Sequence, residues 1–295
     1  MDENKEVAER TDQTHRPPRL SVLLASEAPV GVVLRRGPTK VVRVVIWDRA
    51  NDKFKPGEWF KGRIYPERSD ISPDGRHMIY FAMGGVAWAI PATRGTWTAI
   101  SELPSLKAAA LWGQGGTWGG GGMFISNDSF WLEADANTFL IRDDSGLRRE
   151  TYGPHRPYKS RLERDGWIAK MSGTNNPLFE KTIRDGWILR RIGYSGGYEL
   201  EQPGECKLAF PTWEWAEWDR QRIVWADGGC LRAAKVGAHK LGSVRTLYDF
   251  NGIVPPDKLP PSDEPSQDRP KPHCARDDDS SPANPICMRV VWSGK

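Results

Sequence analysis

Cysteine is scarce. Four residues in 295 (Cys206, Cys230, Cys274, Cys287) include no C-x-x-C pair. That excludes a disulfide-stapled small scaffold and leaves no zinc-ribbon spacing. Long apolar runs are missing too: no stretch of about 18 apolar residues occurs, and the mean hydropathy of −0.59 argues against membrane-spanning helices. Charge of one sign is nearly absent, because 42 Lys and Arg stand against 38 Asp and Glu for a net +4. This is too little for a wholly basic nucleic-acid binder. The five histidines are scattered without H-E-x-x-H, no G-x-S-x-G elbow exists, and no G-X-Y period runs through the chain. Zincin, serine-hydrolase and collagen readings fall with them. No catalytic residue, metal ligand or cofactor is assigned.

What is present is glycine (30), proline (23) and tryptophan (14). Residues 1–19 are mixed in charge with almost nothing apolar in series, which reads as a disordered arm without the apolar core of a secretory signal. The expected address is the cytoplasm. Residues 253–285 carry nine prolines and a net charge of −3, the composition of an extended acidic linker. Residues 286–295 then hold one short strand, Ile286–Trp292, that returns to the body or docks on a partner.

The body, residues 20–252, shows no window of helical apolar spacing free of Gly or Pro. Short β-rich runs recur instead, at Val30–Leu34, Val41–Trp47, His77–Ala82, Val86–Ile90, Trp97–Ile100, Ala108–Trp112, Met123–Ser126, Trp167–Met171, Trp187–Ile192, Ile223–Trp225, Leu231–Val236 and Val244–Phe250. Many short strands with turn residues between them mean an all-β sandwich, barrel or propeller.

Repetition favours the propeller. Ser72-Pro73-Asp74-Gly75 is a tight turn between strands, with Pro73 presetting φ and Gly75 absorbing a positive φ. Weaker echoes lie at Glu217–Trp225 and at Asp165-Gly166-Trp167, which returns twenty residues on as Asp185-Gly186-Trp187. The Ser72–Tyr80 segment resembles the repeat of TolB-like and WD40-like (PD40) β-propellers, in which a Ser-Pro-Asp-Gly turn joins the first two strands of a blade. Ala226–Ala233 and Leu247–Asn251 resemble the third and fourth strands of such a blade. The resemblance implies a binding scaffold. Five blades of about 47 residues fit, at 20–62, 63–103, 104–153, 154–203 and 204–252. Six blades using the C-terminal strand, or a β-sandwich, are the alternatives.

Three segments are candidates for chemistry. Gly113–Gly122 lacks the Lys and helix of a phosphate loop, so close backbone approach is the favoured reading. Trp213, Trp215 and Trp218, beside Glu214 and Glu217, suit sugar stacking, with Trp213 and Trp215 sharing a strand face; filling the wedge between blades is the favoured reading. Arg148, Arg149, Arg156, Tyr158, Lys159 and Arg161 form the densest basic stretch, read as a loop. It suits single-stranded nucleic acid by stacking and phosphate contact, though a solvated loop is favoured. The expected function is a non-catalytic scaffold whose partner is another protein, with no membrane contact. The alternative is a carbohydrate-binding or glycan-active propeller using the tryptophan cluster.

Overall fold

The computed structural model describes residues 16–37, 40–84, 91–151, 157–170, 177–193, 197–202, 206–237 and 240–256. The expected strand Val86–Ile90, most of the N-terminal arm, the acidic linker from residue 257 onward and the C-terminal strand lie outside the described residues. So does the evidence for a sixth blade.

The first sheet is an antiparallel meander of β1 (Arg19–Leu24), β2 (Val30–Arg36), β3 (Val41–Asp48) and the first half of β4 (Lys53–Ile71). Alternation sends its side chains to two faces. Leu20, Val22, Val33, Val45 and Trp47 lie in one apolar cluster; Leu23, Val32, Leu34, Val42 and Val44 lie in another. Both faces are buried, which is why β2 and β3 read as continuous apolar runs rather than as alternation.

β4 changes partner at Gly62. Residues 53–61 pair with β3, and residues from 62 onward pair with β5 (His77–Gly84). Gly62 has φ +148, and a Cβ there would stand 2.4 Å from the Met83 carbonyl oxygen, so the crossing demands glycine. The second sheet continues with β6 (Thr96–Glu102) and β7 (Ala108–Gly113). β8 (Gly122–Phe124) and β9 (Ser129–Leu132) begin the third, β10 (Phe139–Asp143) returns to the free edge of β7, and β11 (Arg148–Glu150) runs parallel to β9. A helix, α1 (Pro157–Arg164), follows. β12 (Ile168–Lys170), β13 (Leu178–Thr182), β14 (Ile188–Ile192), β15 (Tyr198–Gln202) and β16 (Cys206–Phe210) make the fourth sheet. β17 (Trp215–Asp219), β18 (Arg222–Asp227), β19 (Cys230–Ala234) and β20 (Arg245–Asp249) make the last. No described helix is long and apolar enough to cross a membrane.

The sheets pack in sequence order, with α1 between the third and the fourth, and the last meets the first. Val32, Leu34 and Val44 share a cluster with Met78, Tyr80 and Trp97 of the second sheet. Ile79, Ile100 and Trp112 pack with Phe124, Phe130 and Leu132 of the third. α1 contacts β4, β8 and β12. Phe179, Trp187 and Leu200 of the fourth sheet lie with Trp213, Ile223 and Trp225. Val224, Leu231 and Phe250 of the last sheet then close on Val33, Val45 and Trp47 of the first. Successive, mostly antiparallel sheets packed one after another, with the last against the first, are a β-propeller arrangement, the expected all-β fold. The first sheet covers two apolar faces against its neighbours, whereas the fourth buries one apolar face and carries ion pairs on the other.

Three expectations are corrected. The body does contain a helix: α1 escaped notice because its inward face is Tyr158, Arg161 and Leu162, with an arginine at a core position. Asp165-Gly166-Trp167 is not a strand repeat but the end of that helix. Trp167 N donates to Leu162 O (2.9 Å), Gly166 N donates to Glu163 O (3.0 Å), and Gly166 takes φ +88, a Schellman cap. Asp185-Gly186-Trp187 shares only its outcome, a left-handed glycine delivering a buried tryptophan to a strand. Finally, two blade limits shift, because β7 pairs back onto β6 and β16 onto β15.

Candidate functional site

A thread of charge links the sheets. Asp70, at the end of β4, accepts two hydrogen bonds from Arg164 of α1 (2.7 and 3.0 Å) and one from the Phe124 N–H (2.9 Å). Arg164 Nε also donates to Asp165 Oδ1 at 3.0 Å. The Asp165 carbonyl accepts from Lys181 Nζ of β13 (2.7 Å), and the same ammonium donates to Glu217 Oε1 of β17 at 2.6 Å. Glu217 further accepts from Trp167 Nε1 and from the Trp218 N–H, both at 2.8 Å. Two residues along β17, Asp219 accepts from Arg49 Nε and Nη2 (3.0 and 2.7 Å), which returns the thread to the first sheet. Arg222 grips Asp52 at 2.8 and 2.7 Å in parallel with it.

Burial sets the electrostatics. It pushes the Glu217 carboxyl above its ordinary range despite Lys181, and does the same to Asp165 despite Arg164 and Arg161. Burial works against the Arg164 guanidinium, but its bonds to Asp70 outweigh that and hold it above its ordinary value. A carboxyl raised in the folded state makes that state bind more protons than the unfolded one. Its stability is therefore fully present below the unfolded value and is lost as pH rises through the folded one. Glu217→Gln is expected to flatten this fall: melting temperatures measured upward from the ordinary carboxylate value of 4.5 should drop less steeply than in the wild type. Parallel curves would contradict the assignment.

Two cavities flank this thread. One, of about 520 Å³, is walled by parts of β1, β4, α1 and the Pro211–Trp215 segment. The other, of about 360 Å³, is lined by Asp70, Arg164, Asp165, Lys181, Glu217 and Trp218 among others. Val22, Arg161, Arg191 and Trp215 belong to both walls.

The tryptophan triplet is divided. Trp213 is buried, stacked between Phe210 (3.9 Å) and Trp225 (4.6 Å). It precedes β17, and the turn bond from its N–H to Phe210 O breaks the extended register. Trp213 and Trp215 therefore do not share a face: Trp213 packs toward the fourth sheet, Trp215 toward the first. Trp215 and Trp218 are half-buried, and both line the smaller cavity.

The basic stretch is divided as well. Arg148 and Arg149 are exposed on β11, with Arg148 paired to Glu150 at 2.9 Å. Arg156 lies outside the described residues. Lys159 is exposed on α1 and pairs with Glu163 at 3.5 Å. Tyr158 and Arg161 are buried, so the segment is not one solvated loop. The Tyr158 ring is taken by guanidiniums, Arg191 at 5.2 Å and Arg161 at 5.4 Å from its centroid, rather than offered to a base. Asp70 and Asp219, each beside a turn, are buried counter-ions.

One tryptophan that the sequence reading gives no role stands in solvent. Trp118, in the middle of the glycine run, is 93% exposed. Arg68 Nη1 donates to the carbonyls on either side of it, Thr117 (2.8 Å) and Gly119 (2.9 Å). Gly121 N donates to Thr98 Oγ1 at 2.7 Å, and a Cβ on Gly121 would stand 2.2 Å from Arg68 O. Gly113, Gly120, Gly121 and Gly122 serve close approach, as expected, while Gly116 faces open space. The signal for Trp118 was present: it is one bulky residue amid residues chosen for smallness.

No family model matches the chain, and no curated protein does so. Among solved structures, the β-propeller domain of the Trilobed protease from Pyrococcus furiosus is similar at 10% identity, covering 78% of this chain and 81% of that one, with a TM-score of 0.27. One of two prolyl endopeptidases is similar at 9% identity over 77% of this chain, which spans 28% of that enzyme's chain, at a TM-score of 0.22. An uncharacterized protein from Listeria monocytogenes EGD-e is similar at 9% identity over 79% of this chain and 84% of its own, at a TM-score of 0.23. The fold rests on the chain's own sheet order and packing.

Proposed function

We propose that this chain is a non-catalytic, protein-binding β-propeller of five TolB-like or WD40-like blades. One observation carries the binding role: Trp118 stands 93% exposed on a loop that Arg68 clamps at the two flanking carbonyls. A large aromatic carried on a clamped backbone gives contact area without ordering the loop on binding, and tryptophan is enriched among residues that dominate interface energies. The non-catalytic part is supported by commitment. Asp70, Glu217 and Asp219 are each bonded to a cation from another element, which suits linkage of the sheets more than proton transfer.

Capture experiments with the full chain and its Trp118→Ala variant test the reading. A partner retained stoichiometrically by the wild type is expected to lose affinity about 30-fold or more, the scale of an interface hot spot. The variant's stability should stay within about 0.5 kcal/mol, as for a surface change. Equal retention by both proteins, or no stoichiometric partner, counts against it. A second reading, carbohydrate binding, is favoured by Trp215 and Trp218 sharing the 360 Å³ cavity wall with Glu217. Glycan-array signals abolished by Trp218→Ala support it, and a blank array dismisses it.

A further inference from the structure

We propose that the larger cavity is a binding site for a small anion bearing a carboxylate or phosphate group; this does not rest on the Trp118 reading. Four arginines line its wall, Arg19, Arg36, Arg161 and Arg191, against two acidic residues, Glu67 and Glu214. Glu214 is already engaged, accepting the Leu20 N–H at 2.7 Å. Glu67 acts on Arg191. A surplus of positive charge remains.

Arg161 is the built element. It is only 9% exposed, and its Nη1 is held by the Pro66 and Ser69 carbonyls, which fix the plane of the guanidinium. Its Nε and Nη2 donate to no described residue. A planar fork with one edge anchored and another unspent matches the paired oxygens of a carboxylate or phosphate.

Arg191 stands on the same Tyr158 ring, 5.2 Å from its centroid, with Arg161 at 5.4 Å. Two like charges sharing one aromatic ring repel each other, and an anion between or beside them relieves this. Burial raises the phenol, so Tyr158 stays neutral and supplies no compensating charge. The remaining wall includes Leu20, Val22, Leu34, Val42 and Ile64, an apolar lining that strengthens the field of the cations inside. The volume of about 520 Å³ admits a small phosphomonoester or a dicarboxylate.

Calorimetric titration of the full chain with inorganic phosphate and, separately, with succinate tests this. Saturable binding of either probe, weakening as salt rises, is expected; the probe that binds says which anion chemistry the site prefers. Arg161→Gln should lower the affinity about tenfold or more, the scale of a charged hydrogen bond. Arg161 also holds two carbonyls, so Arg36→Gln, an exposed residue at the rim, serves as the variant that keeps the fold. It should weaken binding several-fold with an unchanged melting temperature. Lys159→Gln, on the exposed side of α1, should leave binding unchanged. No saturable heat with either probe, or affinity indifferent to both Arg36→Gln and Arg161→Gln, overturns the proposal.

Discussion

Asp70→Ala is expected to destabilise the fold by about 3–5 kcal/mol, the range seen when one partner of a buried ion pair is removed. The Asp70 side chain is 1% exposed, and it serves three donors: two from Arg164 and the Phe124 N–H. Its loss leaves the guanidinium with Asp165 and the Phe124 carbonyl and strands a buried backbone donor. Domains of ordinary stability hold about 5–15 kcal/mol in total, so this is a large share. Urea titration near neutral pH should show a much lower midpoint. Asp70→Ala combined with Arg164→Met should recover part of the loss, because the uncompensated charge is then gone. A single-variant loss below about 1 kcal/mol would place the pair in solvent-screened surroundings instead.

The second large effect lies where the last sheet meets the first. Trp47→Ala should cost about 3–5 kcal/mol, as for large aromatic truncations in cores. Trp47 is fully buried in the cluster that joins Val33 and Val45 to Val224, Leu231 and Phe250. It stacks on Phe54 (5.9 Å, 3° between planes), which meets Phe250 edge-on at 5.9 Å. The decisive measurement is the double variant with Phe250→Ala. Residues sharing one cavity are non-additive, by about 0.5–3 kcal/mol. Strict additivity would mean that first and last sheets do not pack on each other, and the cyclic arrangement would go with it.

How much of this was legible depends on which strands carry grease on both sides. β2, β3, β5 and β18 were readable because both of their faces are buried, which writes the strand as an unbroken apolar run. β13, β15 and β16 were missed because their outward residues are charged and satisfied across the sheet. Arg190 bonds Glu180 (2.6 Å) and Glu201, and Lys207 pairs with Glu199 at 2.9 Å. β4 was missed because it mixes charges and prolines, and because its two halves serve different sheets. The Ser72–Gly75 turn was legible in full. Gly75 has φ +75, and Ser72 Oγ accepts the N–H groups of Arg76 (3.1 Å) and His77 (2.9 Å).

The candidate sites fared differently. Tyr158 and Arg161 were singled out for density of charge, and they do stand at a cavity, but on a helix and facing inward. Sequence counts cations without saying which side of the backbone they leave from. Trp213 and Trp215 do not share a face, because one turn, at Phe210–Trp213, reverses which neighbour each ring meets.

The chain's local chemistry determined its doubly apolar strands and its glycine turns, since these depend on residues a few positions apart. Tertiary structure alone decided the charge thread. Asp70 meets Arg164 across 94 positions, and Arg49 meets Asp219 across 170. Burial, not spacing, selects such partners. A charge removed from water must find its opposite wherever the packed sheets bring one, and only the assembled sheets fix that place.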